Sequence, residues 1–130
     1  VRCLKMQTGE AVWRKRLPSL TRQPVVVLGH RAFLLASNGT VHCVEAGSGR
    51  DLWTRRTRGR PTTAAVGDER RLYVGLSEGL IEALSVESGR TLWRWRAGAK
   101  PLGKLLLDER HLYCGTAAGR VLAVRVNRSG

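Results

Sequence analysis

Short apolar runs separated by glycine-rich polar turns recur along the whole chain. Each run is four to seven residues long and rich in β-branched or aromatic side chains, which is typical of a strand. No long window keeps the ~3.6-residue period of an amphipathic helix. Between residues 61 and 100 the pattern predicts four strands, at Thr63–Val66, Leu72–Leu76, Leu80–Val86 and Thr91–Ala97. An all-β fold is therefore expected.

The same strand pattern is copied at an interval of 40 residues. The segment 68–75 (DERRLYVG) recurs as the segment 108–115 (DERHLYCG). Two residue types keep the interval without a gap, namely Gly9, Gly49 and Gly89, and Trp13, Trp53 and Trp93. A four-stranded unit of about 40 residues that is copied in tandem is typical of a β-propeller blade.

An eleven-residue motif closes each repeat, with a small residue first, Thr or Ser and then Gly at places six and seven, and Trp last. Its copies run from Cys3 to Trp13, from Cys43 to Trp53 and from Ala83 to Trp93. This motif resembles the tryptophan-docking motif of the pyrroloquinoline-quinone-like (PQQ-like) propeller repeats, and the resemblance covers essentially the whole chain. It implies that each motif Trp stacks between neighbouring blades over the tight turn of the motif Gly. A buried indole also needs an acceptor for its N–H group. We therefore predict structural roles for Gly9, Trp13, Gly49, Trp53, Gly89 and Trp93.

The repeats predict a β-propeller segment of about three four-stranded blades. Its expected parts are a partial blade at 1–20, blades at 21–60 and 61–100, and a partial blade at 101–130. The pattern opens in a third strand, Val1–Met6, and stops after the equivalent strand, Val121–Val126. Because propellers close with typically about four to eight blades, the chain is expected to be a piece of a longer propeller or to assemble with other copies. The first alternative is preferred.

The charge is strongly basic, with 23 Lys and Arg against 10 Asp and Glu and a formal net charge of +13. Basic side chains gather on the fourth strand of each repeat and on the loop after it, and the candidate contacts are Arg14, Arg16, Arg55, Arg56, Arg58, Arg60, Arg94 and Arg96. The fourth strand is the outer edge of a blade, where cations guard against edge-to-edge aggregation. The same residues could instead bind a polyanion. Both interpretations stay open, and Trp95 is the one candidate for stacking on a base.

The chain shows no residue set typical of a catalytic, cofactor or metal site, and none is predicted. Most acidic residues fall in turns, and the pairs Asp68-Glu69 and Asp108-Glu109 are copies of one repeat position. Three histidines lie in separate contexts. Three cysteines, Cys3, Cys43 and Cys114, are too few for a disulfide framework and are expected to be reduced and structural.

Three functions are compatible with these features. The leading one is a non-enzymatic scaffold for protein–protein interaction, similar to the propeller lipoprotein of outer-membrane β-barrel assembly. The alternative is a fragment of a PQQ-dependent quinoprotein dehydrogenase. A second alternative is a polyanion-binding module or a docking domain appended to a larger enzyme.

The expected partners follow from these functions. They are a protein, or further propeller blades from the same longer chain or from another copy, with weak polyanion binding in addition. No transmembrane segment is predicted, because the longest apolar runs, such as Val25–Leu28, fall far short of the ~20 residues that a spanning helix needs. The sequence does not indicate a compartment.

Overall fold

The computed structural model describes residues 2–4, 9–17 and 23–126 of the 130-residue chain. Thr8 of the first motif copy and the ends of the predicted strand Val1–Met6 lie outside these ranges. The described residues form thirteen β-strands and no helix, which confirms the all-β prediction. Accordingly, nothing in these ranges is a helix of the length and apolarity that crossing a membrane requires.

The strands form four antiparallel sheets, each built from strands that are consecutive in the chain. The first sheet contains β1 (Arg2–Leu4) and β2 (Ala11–Arg14). The second contains β3 (Val26–Leu28), β4 (Arg31–Leu35), β5 (Thr40–Glu45) and β6 (Asp51–Arg56). The third contains β7 (Val66–Gly67), β8 (Arg71–Leu76), β9 (Leu80–Ser85) and β10 (Thr91–Arg96). The fourth contains β11 (Pro101–Leu107), β12 (His111–Thr116) and β13 (Val121–Arg125).

The core lies between consecutive sheets. Successive side chains of a strand point to opposite faces, so a sheet packed on both sides reads as a continuous buried run. Phe33 and Cys43 of the second sheet pack against Val74 and Leu84 of the third, and all four are fully buried. The opposite face of the third sheet packs in the same way against the fourth. Burying each large side chain of this kind stabilises the fold by about 1.5–3 kcal/mol.

An aromatic pair spans each of the two complete sheets. In the second sheet Cys43 lies directly between Phe33 and Trp53 in the strand register. The two rings meet above it, with their centroids 5.9 Å apart. The equivalent rings of the third sheet, Tyr73 and Trp93, are 5.8 Å apart. The central position must therefore be small, which explains why the repeats carry only Cys or Ala there, at Cys3, Cys43, Ala83 and Ala123.

The three cysteines are unpaired, and Cys43 and Cys114 are buried. Burial raises the pKa of the Cys43 thiol to about 11 and also raises the pKa of Cys114. Both side chains therefore stay protonated at neutral pH and pack as small apolar groups.

The first strand of the third sheet is shorter than the prediction. The pattern predicts Thr63–Val66, whereas β7 contains only Val66–Gly67. Thr63 instead forms an isolated parallel bridge with Gly103, which lies in the fourth sheet. Its hydroxyl also accepts a hydrogen bond of 3.1 Å from the Gly75 N–H. Thr63 thus connects neighbouring sheets, which interrupts the regular ladder within its own sheet.

Candidate functional site

Each motif Trp of the first two copies reaches into the sheet that follows its own. The Trp13 Nε1–H donates a hydrogen bond of 2.9 Å to the Ala46 carbonyl oxygen of the second sheet. The ring covers Gly49, since a Cβ atom at that residue would lie 2.7 Å from the ring. Gly49 has φ of 74°, a conformation that Gly adopts without a steric penalty. We call the motif Gly, together with the carbonyl three residues before it, the Trp seat.

Trp53 uses the Trp seat of the third sheet in the same way. Its Nε1–H donates to the Val86 carbonyl oxygen at 2.9 Å, and its ring lies directly over Gly89. Gly9 has the same backbone conformation, with φ of 74°, but no described atom lies within 4 Å of the position its Cβ would take. Trp93 packs against the apolar cluster that the third and fourth sheets share.

The predicted basic residues lie on three different sheets, and two of them, Arg14 and Arg16, line a cavity of about 490 Å³ together with Arg2 and Lys15. The predicted residues occupy the outer strands β2, β6 and β10 and the connections after them, and most are exposed. Arg55 is half-buried, and its Nε has no hydrogen-bond partner among the described residues. Trp95 is also half-buried and packs against the apolar cluster of the third and fourth sheets, so its ring is not freely available for stacking.

Of the predicted contacts, Arg60 lines a cavity of about 580 Å³, which we call the loop cavity. The cavity lies where turns and connections of the second and third sheets meet. The Arg60 N–H donates to the Ser77 hydroxyl at 3.0 Å, and the Ser77 N–H donates to the Arg60 carbonyl at 2.8 Å. These two bonds hold the β6–β7 connection against the β8–β9 turn. The lining residues are Gln23, Leu35, Ser37, Asn38, Arg60, Pro61, Thr62, Ser77 and Lys100.

The loop cavity is electropositive. Arg60 and Lys100 are exposed and form no ion pair with any described residue. The described residues that line the cavity include no carboxylate. A second cavity of about 270 Å³ shares Ser77 and Lys100 and continues to Arg96 at the end of β10, and Glu78 is the carboxylate in its lining. Arg60 was among the residues predicted from the sequence, but Lys100 was not. The sequence alone does not show which loops of different repeats lie next to each other in the fold.

Acidic residues of the repeated turn act as local caps. Asp68 Oδ1 accepts hydrogen bonds from the N–H groups of Arg70 and Arg71. Asp108 Oδ1 accepts the equivalent bonds, and its Oδ2 accepts one from the Tyr113 hydroxyl. These bonds lower the pKa of Asp108. Within the described ranges no three His, Cys, Asp or Glu side chains group together as metal ligands would.

Glu82 is a buried acid that the sequence analysis did not single out. It lies in the middle of β9, is fully buried, and accepts a hydrogen bond from Arg94 Nε on β10 through Oε1. Its Oε2 has no hydrogen-bond partner among the described residues. The available signal was the register, because Glu82 and Arg94 are directly opposite each other on neighbouring strands.

His42 occupies the position equivalent to Glu82 in the second sheet and is 8% exposed. Burial lowers its pKa from the ordinary value of 6.5, the Asp51 carboxylate opposes this shift, and Lys15 reinforces it. The neutral imidazole is therefore the form that the folded chain favours.

Protonation of His42 is expected to destabilise the chain in mild acid. The unfolded chain takes up the proton at the ordinary pKa of 6.5 and the folded chain only below it. The free energy of unfolding should therefore fall as the pH drops below about 6.5 and level off below the folded pKa. Urea unfolding across this range measures the change. The variant His42→Leu should lose this step, whereas an identical pH profile in both proteins would show that His42 does not cause it.

The family model of the outer membrane protein assembly factor BamB matches residues 1–66 and 37–129. BamB from Moraxella catarrhalis superposes with a TM-score of 0.83 at 22% identity, over 94% of this chain and 42% of that chain. BBS1N, solved in complex with ARL6DN, superposes with a TM-score of 0.77 at 17% identity, over 94% and 40% of the two chains. The quinohemoprotein alcohol dehydrogenase ADHIIG from Pseudomonas putida HK5 gives 0.73 at 15% identity, over 87% and 20%.

The chain thus spans less than half the length of these three solved proteins. The comparison with curated proteins gives no match. The structural likeness confirms the predicted fold class, an all-β propeller segment, and the described sheets have two, four, four and three strands in chain order. Because the family match extends over nearly the whole sequence, the chain belongs to the family of PQQ-like propeller repeats described as outer membrane protein assembly factor BamB.

Proposed function

We propose that this chain is a non-enzymatic propeller scaffold that binds a protein partner through the loop cavity. The observation that carries the proposal is the pair of exposed cations, Arg60 and Lys100, which have no ion pair among the described residues. Arg60 stands on the connection between the second and third sheets and Lys100 on the connection between the third and fourth, and loops held by a rigid framework are typical of binding surfaces. The matching surface of the partner would carry carboxylates.

The family membership supports a role in the assembly of outer-membrane proteins. BamB from Moraxella catarrhalis has the same fold, and the matched family is described as an assembly factor. The proposed partner is therefore the outer-membrane β-barrel assembly machinery. The blades supply a rigid framework for this role, and the loops supply the contacts.

Charge reversal in the loop cavity tests the proposal. The double variant Arg60→Glu/Lys100→Glu should bind purified β-barrel assembly machinery lacking its propeller subunit at least about tenfold more weakly, a loss of ~1.4 kcal/mol. Isothermal calorimetry gives the dissociation constants. Arg56→Glu/Arg58→Glu is the matched control with the same change in net charge, because Arg56 and Arg58 are exposed cations that do not line the cavity. Equal weakening by the control would mean that net charge, and not the cavity, governs binding.

A second candidate function is a segment of a quinoprotein dehydrogenase, which the likeness to ADHIIG favours. The chain covers 20% of that protein, so a quinone site would depend on further blades. Absorbance titration with pyrroloquinoline quinone and Ca²⁺ distinguishes the two. Quinone binding with dehydrogenase activity in a longer form of the protein would contradict the scaffold.

Polyanion binding by the exposed arginines of β2, β6 and β10 is a third proposal. It requires binding to heparin at low salt that falls steeply as salt rises, because each neutralised phosphate or sulfate releases a counterion. If the chain is instead a docking domain of a larger enzyme, the docking contacts would be made by the loop cavity, as in the scaffold proposal.

A further inference from the structure

The repeats present nearly identical docking surfaces to one another. Trp13 and Trp53 enter Trp seats that have the same geometry, with indole hydrogen bonds of 2.9 Å in both. Apolar side chains pack around both seats. A Trp of one blade could therefore fit the seat of a blade that is not its neighbour, in the same chain or in another copy. Misassembly of this kind is a characteristic failure of repeat proteins.

One position of the outer strand differs at every junction. It follows the motif Trp by two residues, so it lies on the same face of the strand, and it is Lys15, then Arg55, then Trp95. The facing position in the middle of the next sheet changes with it, from His42 to Glu82 to Leu122. Each junction therefore has its own chemistry, and we call the residues that differ a junction key. The keys are Lys15, Asp51 and His42 at the first junction, Arg55 and Glu82 at the second, and Trp95 and Leu122 at the third.

The key of the first junction is an ion pair between sheets. Lys15 Nζ lies 2.7 Å from Asp51 Oδ1, and the side chains are 21% and 62% exposed, so the pair is partly open to solvent. Lys15 Nζ also donates to the Gly49 carbonyl oxygen at 3.4 Å, at the seat that Trp13 occupies. His42, on β5 of the second sheet, is buried at this junction.

The key of the second junction is a buried charge cluster. Glu82 lies on the face of β9 that packs against the second sheet, as Leu84 two residues later shows. Arg55 lies on the facing side, two residues after Trp53, which packs against the same cluster. Glu82 Oε1 is bonded to Arg94, whereas Glu82 Oε2 and Arg55 Nε are buried and have no hydrogen-bond partner among the described residues. Arg55 and Glu82 thus lie on facing strands of the junction, but the ion-pair partner of Glu82 in this structure is Arg94 of its own sheet.

The key of the third junction is apolar. Trp95 and Leu122 both pack against the cluster between the third and fourth sheets. An Arg in place of Trp95, or a Glu in place of Leu122, would put a charge there that no equivalent partner balances. Removing one member of a buried pair leaves the other charge unpaired, which is strongly destabilising.

We infer that the junction keys specify the order of the blades: Lys15 with Asp51, Arg55 with Glu82, and Trp95 with Leu122 each accept the correct neighbour and reject the others. The Trp seats supply the attraction common to all junctions. The keys supply the difference in affinity that makes one order unique, which is how specificity between similar surfaces is achieved. Function depends on this order, because the loop cavity requires adjacent second and third sheets.

The inference is tested by replacing the two residues of the second junction key with the residues that stand at the equivalent positions of the third. Arg55→Trp and Glu82→Leu are introduced singly and together in the full chain, and urea unfolding is followed by circular dichroism. Each single variant should raise the unfolding equilibrium constant, and the double variant should recover about tenfold or more relative to the sum of the single effects. Arg58→Trp/Glu82→Leu is the matched control and should show no recovery, since Arg58 lies outside the key. If Glu82→Leu does not fold, Glu82→Gln replaces it in the same scheme.

A second readout separates order from stability. With two identical apolar keys, the double variant should form a larger fraction of dimers and higher species than the wild-type chain at equal concentration. Light scattering after size exclusion measures this fraction. Additive single effects would overturn the pairing of Arg55 with Glu82. An unchanged fraction of oligomers in a folded double variant would overturn the role in blade order.

Discussion

Replacing Trp53 by alanine is expected to lower the free energy of unfolding by about 3–5 kcal/mol, because the substitution leaves a cavity at the junction of two blades. Trp53 contributes at two interfaces, since its ring pairs with Phe33 in its own sheet and covers Gly89 in the next. Its indole N–H also satisfies the Val86 carbonyl. Chemical denaturation of the wild-type and variant chains measures the loss.

Trp53→Phe separates packing from hydrogen bonding. The smaller ring keeps much of the apolar contact but cannot donate to Val86, and a typical intramolecular hydrogen bond contributes about 0.5–1.5 kcal/mol net. This variant should therefore lose less stability than the alanine variant. A loss of stability below about 1 kcal/mol for Trp53→Ala would contradict the docking role, because substitutions that break no specific packing have effects of that size.

Gly89→Ala is the second substitution with a large expected effect. Gly89 has φ of 77°, where an L-residue is strained by about 1–2 kcal/mol. The added methyl would in addition overlap the Trp53 ring, so the indole must leave its seat. Overpacking of this kind costs about a further 1–3 kcal/mol. Urea unfolding, together with the fluorescence of the displaced indole, should report both effects.

Gly79→Ala is the matched control for the backbone. Gly79 has the same φ of 77°, but the nearest atoms to its added Cβ would be those of Ala99 at 3.7 Å, an ordinary contact distance. The control therefore carries the backbone strain without the overlap. Equal destabilisation by the two variants would mean that the Trp seat contributes nothing beyond backbone conformation.

The fold could be predicted from the sequence because the same pattern of strands and turns recurs every 40 residues. The spacing of Trp13, Trp53 and Trp93 identifies one supersecondary unit in several copies, and the turn glycines delimit its strands. The family resemblance rests on the same positions. The shortened β7 could not be predicted, since Thr63 forms its backbone bridge with Gly103 of another repeat.

The candidate site was less accessible from the sequence. The loop cavity is formed by Arg60 and Lys100, which are one repeat apart, and their meeting depends on how adjacent sheets pack. Glu82 could not be separated from the exposed acids by composition, because its burial comes from the facing sheet. Trp95 was likewise expected to be an exposed aromatic side chain, because the sequence does not show that the fourth sheet packs against it. In the structure this packing covers part of Trp95.

The measurement that tests blade docking most directly is the proton chemical shift of the motif glycines in solution. Gly49 and Gly89 lie against the faces of Trp13 and Trp53, whereas no described atom lies near the Cβ position of Gly9. The α-protons of Gly49 and Gly89 should therefore be shifted upfield by the indole ring currents relative to those of Gly9, and the Gly89 shift should vanish in Trp53→Ala. Three similar, unshifted glycines would contradict the account, because the Trp side chains would then not occupy the seats of the following blades.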